Sequence, residues 1–322
     1  MVRAMLDSFE RFEFDSTQLA RQLEALPGSY TGPTRVLPAP HGVIGFGEGA
    51  LAAELSREFI DAGGIAGGTQ FILAGGLDFG AVDAATLISE ASGATVFQMG
   101  SPRVSRVRRS EDEISLALLE GDDDDGDETE VARVEPGPLA TYHYAVALAH
   151  MTGNAEKASA AEAALERLRD ACKSGVPTDE NPAKQLAWKL WTRTPLLIAA
   201  GGFSPQPWAW QLSLARLGKS MSIPVPGNAL EIVSSGFEAR HESGDSHVAL
   251  FLGGEDESLR MARELLETRV DEVIAVPTTE RDTFAANLEL WYLSCWVSFY
   301  LSLMYSLDPV DSASLRGLRD VE

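Results

Sequence analysis

Short runs of apolar residues alternate along this chain with longer segments in which apolar residues recur every three or four positions. Runs of this kind between glycines or prolines are typical of buried strands, and the longer periodic segments are typical of amphipathic helices. Predicted strands lie at the start of residues 41–49 and at 71–74, 94–99, 114–119, 196–200, 222–225, 247–252 and 273–276. Alternation of strand and helix predicts parallel sheets with helices on both faces.

The predicted helices connect these strands and flank them. The first ends at Pro27-Gly28, a pair that terminates helices, and another opens at Pro182. Predicted helices cover residues 9–26, 50–62, 81–91, 139–151, 155–175, 205–219, 257–267 and 283–307, with shorter ones after 181, near 230 and in the C-terminal tail.

The pattern of strands and helices occurs twice, which predicts two α/β domains at residues 1–153 and 154–322. Each is expected to be a doubly wound parallel sheet. In such sheets ligands bind where a strand ends and a helix begins. The turns at these positions supply the candidate ligand-binding residues Gly47, Gly49, Gly75, Gly76 and Ser204.

One predicted helix contains an uncharged apolar segment, residues 290–307, long enough to cross a bilayer. It also carries Ser294, Ser298, Ser302 and Ser306, four positions apart, which form one narrow stripe on a helix. A stripe of small residues allows a close neighbour. The pattern favours a helix buried in a domain core or at a subunit interface over a membrane span.

The formal net charge of −22 argues against nucleic acids and anionic membranes as partners, because both are polyanions. It also requires any phosphate site to be locally neutral or positive. The two cysteines, Cys172 and Cys295, lie far apart and outside metal or redox spacings, so no metal is expected. The N-terminus lacks a signal-peptide pattern, which predicts a cytoplasmic protein.

Two local patterns suggest other ligands. An acidic run over residues 120–130 could hold calcium, but it lacks the alternating ligands of a calcium loop and is expected to be a solvated loop. The Gly-Phe-Gly-Glu-Gly-Ala sequence at 45–50 has the glycine spacing of a dinucleotide site. The next strand ends in Ala74-Gly75-Gly76 without the acidic residue that would hold a ribose, so no cofactor is expected.

The chain resembles the bifunctional phosphoglucose/phosphomannose isomerases, which are built from two sugar isomerase (SIS) domains. The resemblance rests on Asn-Pro-Ala-Lys at 181–184, Lys219, Asn228, Glu231-Ile232 and Asp-Pro-Val at 308–310, with residues 45–50 in place of the family's first glycine turn. It covers nearly the whole chain and implies a homodimer that binds a small sugar phosphate.

Aldose–ketose isomerisation requires a base for the C1–C2 proton transfer, an acid/base for ring opening and a cation for the oxyanion. The resemblance implies Glu, His and Arg in these roles. The aligned positions hold Arg216, Ala229 and Pro138-Leu139 instead, and a C-terminal lysine is represented by Arg319. The family's hydroxyl-rich phosphate loop aligns with residues 74–80, which contain no hydroxyl.

Two hypotheses follow. In the first, an active isomerase uses relocated groups, with Glu231 and Arg216 as catalytic candidates and His143 or His241 as acid/base. In the second, the protein binds a sugar phosphate without isomerising it, as a sensor or partner subunit. Arg216, Lys219 and Arg319 would then form the anion-binding cluster.

Overall fold

A computed structural model describes residues 6–7, 14–62, 67–75, 79–100, 134, 137–225, 227, 229–237 and 245–310. The chain divides into two compact units. Residues 29–160 form one, called here the central unit, and residues 1–28 with 161–322 form the other, called the terminal unit. The N-terminal residues up to Gly28 therefore group with the C-terminal half, whereas the sequence pattern assigned them to the first domain.

The elements of the central unit are β1 (His41–Phe46), α2 (Glu48–Leu55), β2 (Asp61–Ala62), β3 (Thr69–Ala74), α3 (Phe79–Ala91), β4 (Thr95–Gly100), α4 (Ala140–Met151) and the start of α5 (Ala155–Cys172). The four strands form a parallel sheet in the order β2-β1-β3-β4. Strand β3 is buried at every position, as expected for a strand covered on both faces.

The terminal unit contains α1 (Gln18–Ala25), which precedes the central unit in the chain. Its other elements are α6 (Pro182–Leu190), β5 (Thr194–Ile198), α7 (Gln206–Arg216), β6 (Ile223–Val225), α8 (Ala229–Gly236), β7 (His247–Leu252), α9 (Glu257–Leu266), β8 (Glu272–Val276) and α10 (Thr283–Met304). The four strands form a second parallel sheet, in the order β6-β5-β7-β8.

The predicted α/β class with parallel sheets is confirmed. Several helices are shorter than the pattern suggested, α1 and α2 most of all: α1 begins at Gln18, and α2 ends at Leu55, before a 3-10 turn and the two-residue strand β2. Residues 9–13 of the predicted first helix lie outside the described residues. The predicted strand at 114–119, the acidic run at 120–130 and the predicted tail helix lie outside the described residues.

Helix α10 is the central core element of the terminal unit. It is 22 residues long, and nearly all of its side chains are buried, including Trp291 and Trp296. Two serines of the stripe face α7 and the turn after it: the Ser294 hydroxyl donates to Ser213 Oγ at 2.8 Å, and a methyl added at Gly218 would lie 3.3 Å from the Cα of Ser298. Ser306 lies beyond the end of α10 and is exposed. The stripe therefore allows two helices of one chain to approach closely. Within the described ranges, no helix is long and apolar enough to span a membrane.

The Asn-Pro-Ala-Lys motif forms a buried joint at the start of α6. The Asn181 side chain accepts a hydrogen bond from the Lys184 amide and donates to the Cys172 carbonyl, which also accepts from the Tyr300 hydroxyl. Lys184 is fully buried, and its ammonium group donates to Asp7 and to the carbonyls of Ser174 and Val176. The motif therefore joins the N-terminal segment, α6 and α10.

The Asp7 contact makes stability pH-dependent. Partial burial raises the pKa of Asp7, but hydrogen bonds from Lys184 and Thr178 outweigh it and hold the pKa below the usual 3.8. A depressed folded-state pKa stabilises the fold above 3.8, and this contribution is lost as the pH falls through the folded-state value.

We therefore expect the melting temperature of the wild type to fall more steeply below pH 3.8 than that of Asp7→Asn. Other carboxylates titrate in both proteins, so the difference between the two melting curves isolates Asp7. Parallel curves would show that Asp7 contributes nothing.

Candidate functional site

Both sheets have a topological switch point, where successive connections leave in opposite directions. In each, the first strand has the second strand on one side and the third on the other. The switch points therefore lie between β1 and β3 and between β5 and β7. Ligands of open parallel sheets bind outside the carboxyl ends of the strands at such points.

The glycine turn after β1 lies at the switch point of the central unit. Gly47 has φ +54°, a conformation that favours glycine, and the Gly75 amide donates to the Phe46 carbonyl at 3.1 Å. A methyl at Gly49 would lie 2.4 Å from the Leu73 carbonyl oxygen, and one at Gly75 would lie 2.7 Å from that of Phe46. The structure thus brings Gly47, Gly49 and Gly75 together, while Gly76 lies outside the described residues.

The first turn of α2 contains a buried carboxylate, Glu48, which is 5% exposed. A negative side chain at a helix N-terminus interacts favourably with the positive end of the helix dipole. Helix α4 crosses this edge: the Tyr144 hydroxyl donates to the Ala74 carbonyl at 2.9 Å, and the Thr141 hydroxyl to the Glu48 carbonyl at 3.4 Å. The carboxylate opposes binding of a ligand anion to the first turn of α2.

His143 lies on α4 between Thr141 and Tyr144, the two residues that donate hydrogen bonds to this edge of the sheet. Burial lowers the pKa of its imidazole, so the ring is neutral at pH 7. The Tyr142 ring packs against it edge-on, with centroids 4.9 Å apart. A neutral imidazole can accept a proton, which keeps His143 a candidate acid/base.

In the terminal unit, the turn after β5 is held by α10. Residues Gly201–Phe203 form a 3-10 turn that leads through the exposed Ser204 into α7. The Asn287 side chain donates to the Gly202 carbonyl at 2.9 Å. It also accepts from Gln206 Nε2 at 2.8 Å, and the Asn287 main-chain carbonyl accepts from the same nitrogen at 2.9 Å. The turn is therefore fixed to the core.

Phe203 packs across this switch point. Its ring occupies the space that a side chain at Gly253 would need, because a methyl there would lie 2.4–2.7 Å from three ring carbons. Gly253 has φ +84° and follows β7. The sequence analysis did not identify Phe203 as a candidate residue. The feature of the sequence that could have indicated a close contact here was the Gly253-Gly254 pair directly after an apolar strand.

Acidic side chains also lie at this edge of the terminal sheet and were missed from the sequence. Glu255 follows β7, and Glu280 and Glu289 flank the connection from β8 to α10. Burial raises the pKa of Glu289 and nearby Glu280 adds to this, while a hydrogen bond from Thr278 opposes it. Their position after strand ends was the signal available in the sequence.

The predicted catalytic pair lies at two different edges of the terminal sheet. Glu231 is exposed in the first turn of α8, beyond the carboxyl end of β6, on the same edge as Ser204. Arg216 ends the 11-residue α7, which returns to the amino edge, and Lys219 Nζ donates to the Arg216 carbonyl at 2.7 Å. A rise of about 1.5 Å per residue puts the ends of α7 about 16 Å apart.

Within this unit, Glu231 and Arg216 are thus not placed to act together on one bond of a substrate. Arg319 lies outside the described residues. Ala229, aligned with the family's histidine, is 1% exposed within an apolar cluster. All these roles stay predictions.

In the part of the chain that the structure describes, no group of three or more His, Cys, Asp or Glu side chains is placed to hold a metal ion. Burial raises the pKa of the Cys172 and Cys295 thiols to about 12, so neither is a reactive thiolate at pH 7.

Comparisons with known proteins agree with this architecture. Residues 19–153 match the phosphoglucose isomerase N-terminal domain, and residues 179–321 match the bacterial phospho-glucose isomerase C-terminal SIS domain. A glucose-6-phosphate isomerase-like protein from Thermus thermophilus is 34% identical, with a TM-score of 0.80 over 98% of this chain and 99% of that one. A putative phosphosugar isomerase from Salmonella typhimurium shares the fold, with a TM-score of 0.56 over 94% of this chain and 98% of that one at 12% identity.

A bifunctional phosphoglucose/phosphomannose isomerase from Caldicellulosiruptor bescii is 27% identical over 165 residues, which is 48% of each chain. This chain thus matches about half the length of that curated relative. The two parallel sheets with glycine turns at their switch points define a protein with two SIS-type domains. It belongs to the phosphoglucose/phosphomannose isomerase family.

Proposed function

We propose that this protein binds a phosphorylated sugar without interconverting its aldose and ketose forms. The observation that carries the proposal is the pair of half-buried cations Arg216 and Lys219 at the end of α7, in a chain of this family. A sensor or a partner subunit is the role that such binding would serve.

The phosphate is proposed to bind Arg216 and Lys219. Both side chains are half-buried, and the Lys219 ammonium lies at the Arg216 carbonyl, which brings two cations to the end of α7. Arg319, which the sequence analysis assigned to the same cluster, lies outside the described residues.

Loss of catalysis is supported by the positions of the candidate groups. Proton transfer between C1 and C2 needs a base and an oxyanion-stabilising cation at neighbouring atoms. Glu231 and Arg216 lie at opposite edges of the terminal sheet. A homodimer stays a prediction from the family resemblance alone, because the serine stripe that gave it further support packs inside the chain.

Calorimetric titration with fructose 6-phosphate, glucose 6-phosphate and mannose 6-phosphate, followed by a coupled isomerase assay on the same sample, tests the proposal. We expect binding without turnover. Arg216→Ala should weaken binding at least about tenfold, because a hydrogen bond to a charged group contributes about 1.5–3 kcal/mol. Arg260→Ala, which removes an exposed arginine paired with Glu264, is the control and should bind normally.

The second candidate, an active isomerase with relocated groups, is favoured by His143, whose helix contacts the end of β3 and the start of α2. Turnover that is lost in His143→Gln and in Glu231→Gln would establish it. Failure to bind any of the three sugar phosphates would overturn both candidates.

A further inference from the structure

Helix α3 of the central unit exposes large apolar side chains and buries hydroxyl groups. Leu87 and Ile88 are 55% and 69% exposed. Thr86 and Ser89 are buried, and their hydroxyls donate to main-chain carbonyls one turn earlier in the same helix, at 2.9 and 2.8 Å. A surface helix normally turns its apolar residues to the core and its polar ones to water. Folding of a single chain therefore does not account for the exposed side of α3.

The corresponding helix of the terminal unit has a charged exposed side. Helix α9 connects β7 to β8, as α3 connects β3 to β4. Its buried side chains are all apolar, and Arg260 and Glu264 on its exposed side form an ion pair at 3.0 Å. Each of its two exposed large apolar residues, Met261 and Leu265, directly follows one of these charged residues. The position of a helix on such a sheet thus does not by itself require an apolar exposed side.

The exposed residues of α3 follow the spacing of a helix–helix contact. Ala81, Ala84, Ile88 and Ala91 are exposed and lie three, four and three positions apart, which is the repeat of a coiled-coil seam, and Leu87 lies beside them. These five residues are called here the α3 face. The repeat indicates that another helix packs along it.

The α3 face is complementary to itself. In an antiparallel pair of α3 helices centred on residue 86, Ile88 of one copy meets Ala84 of the other, and Ala81 meets Ala91. A large side chain thus packs on a small one, and the two-fold rotation that relates the copies repeats the contact in the other direction. A closed dimer requires such a self-complementary surface.

Charge favours the same occupant. The chain has a formal net charge of −22, so two copies repel each other wherever their carboxylates approach. No residue of the α3 face is charged, and the acidic positions 83 and 90 of the helix fall outside it by helical spacing. Two copies can therefore meet at this face without bringing carboxylates together at its centre.

We propose that a second copy of this chain packs on the α3 face, with the two α3 helices antiparallel. One helix pair buries less than the roughly 800 Å² per partner of a standard interface, so the association is weak, in the micromolar range. The proposal goes beyond the proposed function, because it assigns an interaction surface and requires no ligand.

Sedimentation velocity of the ligand-free full chain, over a concentration series that spans the micromolar range, tests the proposal. We expect a monomer–dimer equilibrium that becomes tighter as NaCl is added, because salt screens the repulsion between two acidic chains. Ile88→Lys places a charge at the centre of the pair and should weaken self-association at least tenfold. It should not lower the melting temperature, because the side chain is exposed and lysine is a good helix former.

Leu265→Lys is the matched control. It introduces the same charge at an exposed leucine of α9, the corresponding helix of the other unit, and should leave self-association as in the wild type. A loss of self-association in both variants would point to net charge and not to the α3 face, and would contradict the proposal.

A mixing experiment tests the antiparallel arrangement. Ala84→Glu should weaken self-association as Ile88→Lys does, because each variant places two like charges in its own pair. In a mixed pair, the new carboxylate of one variant faces the new ammonium group of the other. An equimolar mixture of the two variants should therefore associate at least tenfold more tightly than either variant alone.

Three further results would overturn the proposal. A monomer at every concentration and salt level would leave the α3 face to another segment of the chain or to a different protein. A dimer that Ile88→Lys does not weaken would have its interface elsewhere, and a mixture no tighter than its components would exclude the antiparallel pair. Self-association is measured without ligand, so each of these results leaves sugar-phosphate binding to be decided by calorimetry.

Discussion

Lys184→Ala is expected to lower the free energy of unfolding of the terminal unit by about 3 kcal/mol. The change removes a fully buried ammonium group and leaves the carbonyls of Ser174 and Val176 without their donor. It also opens a cavity next to Tyr300, over whose ring the ammonium lies at 5.4 Å. Asp7, which is 45% exposed, can return to water and limits the loss.

Urea unfolding followed by circular dichroism measures this change. Lys189→Ala, on the same helix, is the matched control. Lys189 is 44% exposed and pairs with Glu272, so its removal should cost less than about 1 kcal/mol. Equal costs for the two lysines would mean that the buried joint contributes no more than a surface ion pair.

Gly49→Ala is expected to destabilise the central unit by about 3 kcal/mol. The added methyl would lie 2.4 Å from the Leu73 carbonyl oxygen and 2.5 Å from its Cβ, so α2 must move away from β3. That movement opens the turn at the switch point. Hydrogen exchange in peptides from residues 41–55 and 69–75 reports the local effect.

Gly175→Ala is the comparison for this change, because a methyl at Gly175 meets nothing within 4 Å and its backbone is not in a glycine-favouring region. It should leave exchange in those peptides unchanged. A stable Gly49→Ala with normal exchange would contradict the close packing of α2 on β3.

The strands were predictable because their signal is local. The run at 71–74 is apolar at every position and is followed by glycine, and β3 is buried throughout. Helix α2 was predicted to extend to residue 62 because the apolar residues after Leu55 also fit a helical repeat. Pairing of β2 with β1 at Gly42 and Asp61, a tertiary contact, determines where that segment becomes a strand.

The contacts that define the candidate sites are long-range and could not be read from the sequence. Lys184 meets Asp7 across 177 positions, so the Asn-Pro-Ala-Lys motif identified the family without revealing its structural role. Phe203 and Gly253 belong to different strand–helix connections. Glycine turns can be predicted from local sequence, whereas a side chain that reaches a turn from another strand end cannot.

The prediction of Glu231 and Arg216 as a catalytic pair shows a second limit of prediction from sequence. The two residues lie on successive helices, α7 and α8, separated by β6, but a helix that returns along a parallel sheet places its last residue at the edge opposite to its first. Alignment with a family assigns residue identities and does not test this geometry. The catalytic assignment therefore depends on topology that the motifs alone do not contain.

The placement of α1 in the terminal unit has a consequence for biosynthesis. Leu19 and Leu23 are buried in that unit, and the Leu23 carbonyl accepts a hydrogen bond from Tyr292, which is 269 positions later. At roughly 5–20 residues per second, the ribosome needs roughly 15–50 s to synthesise the intervening chain. Throughout that time the apolar face of the nascent helix lacks its partner, and the whole central unit is synthesised before that partner. Nascent chains would therefore expose a binding surface for cellular chaperones until the helix that carries Tyr292 has been synthesised.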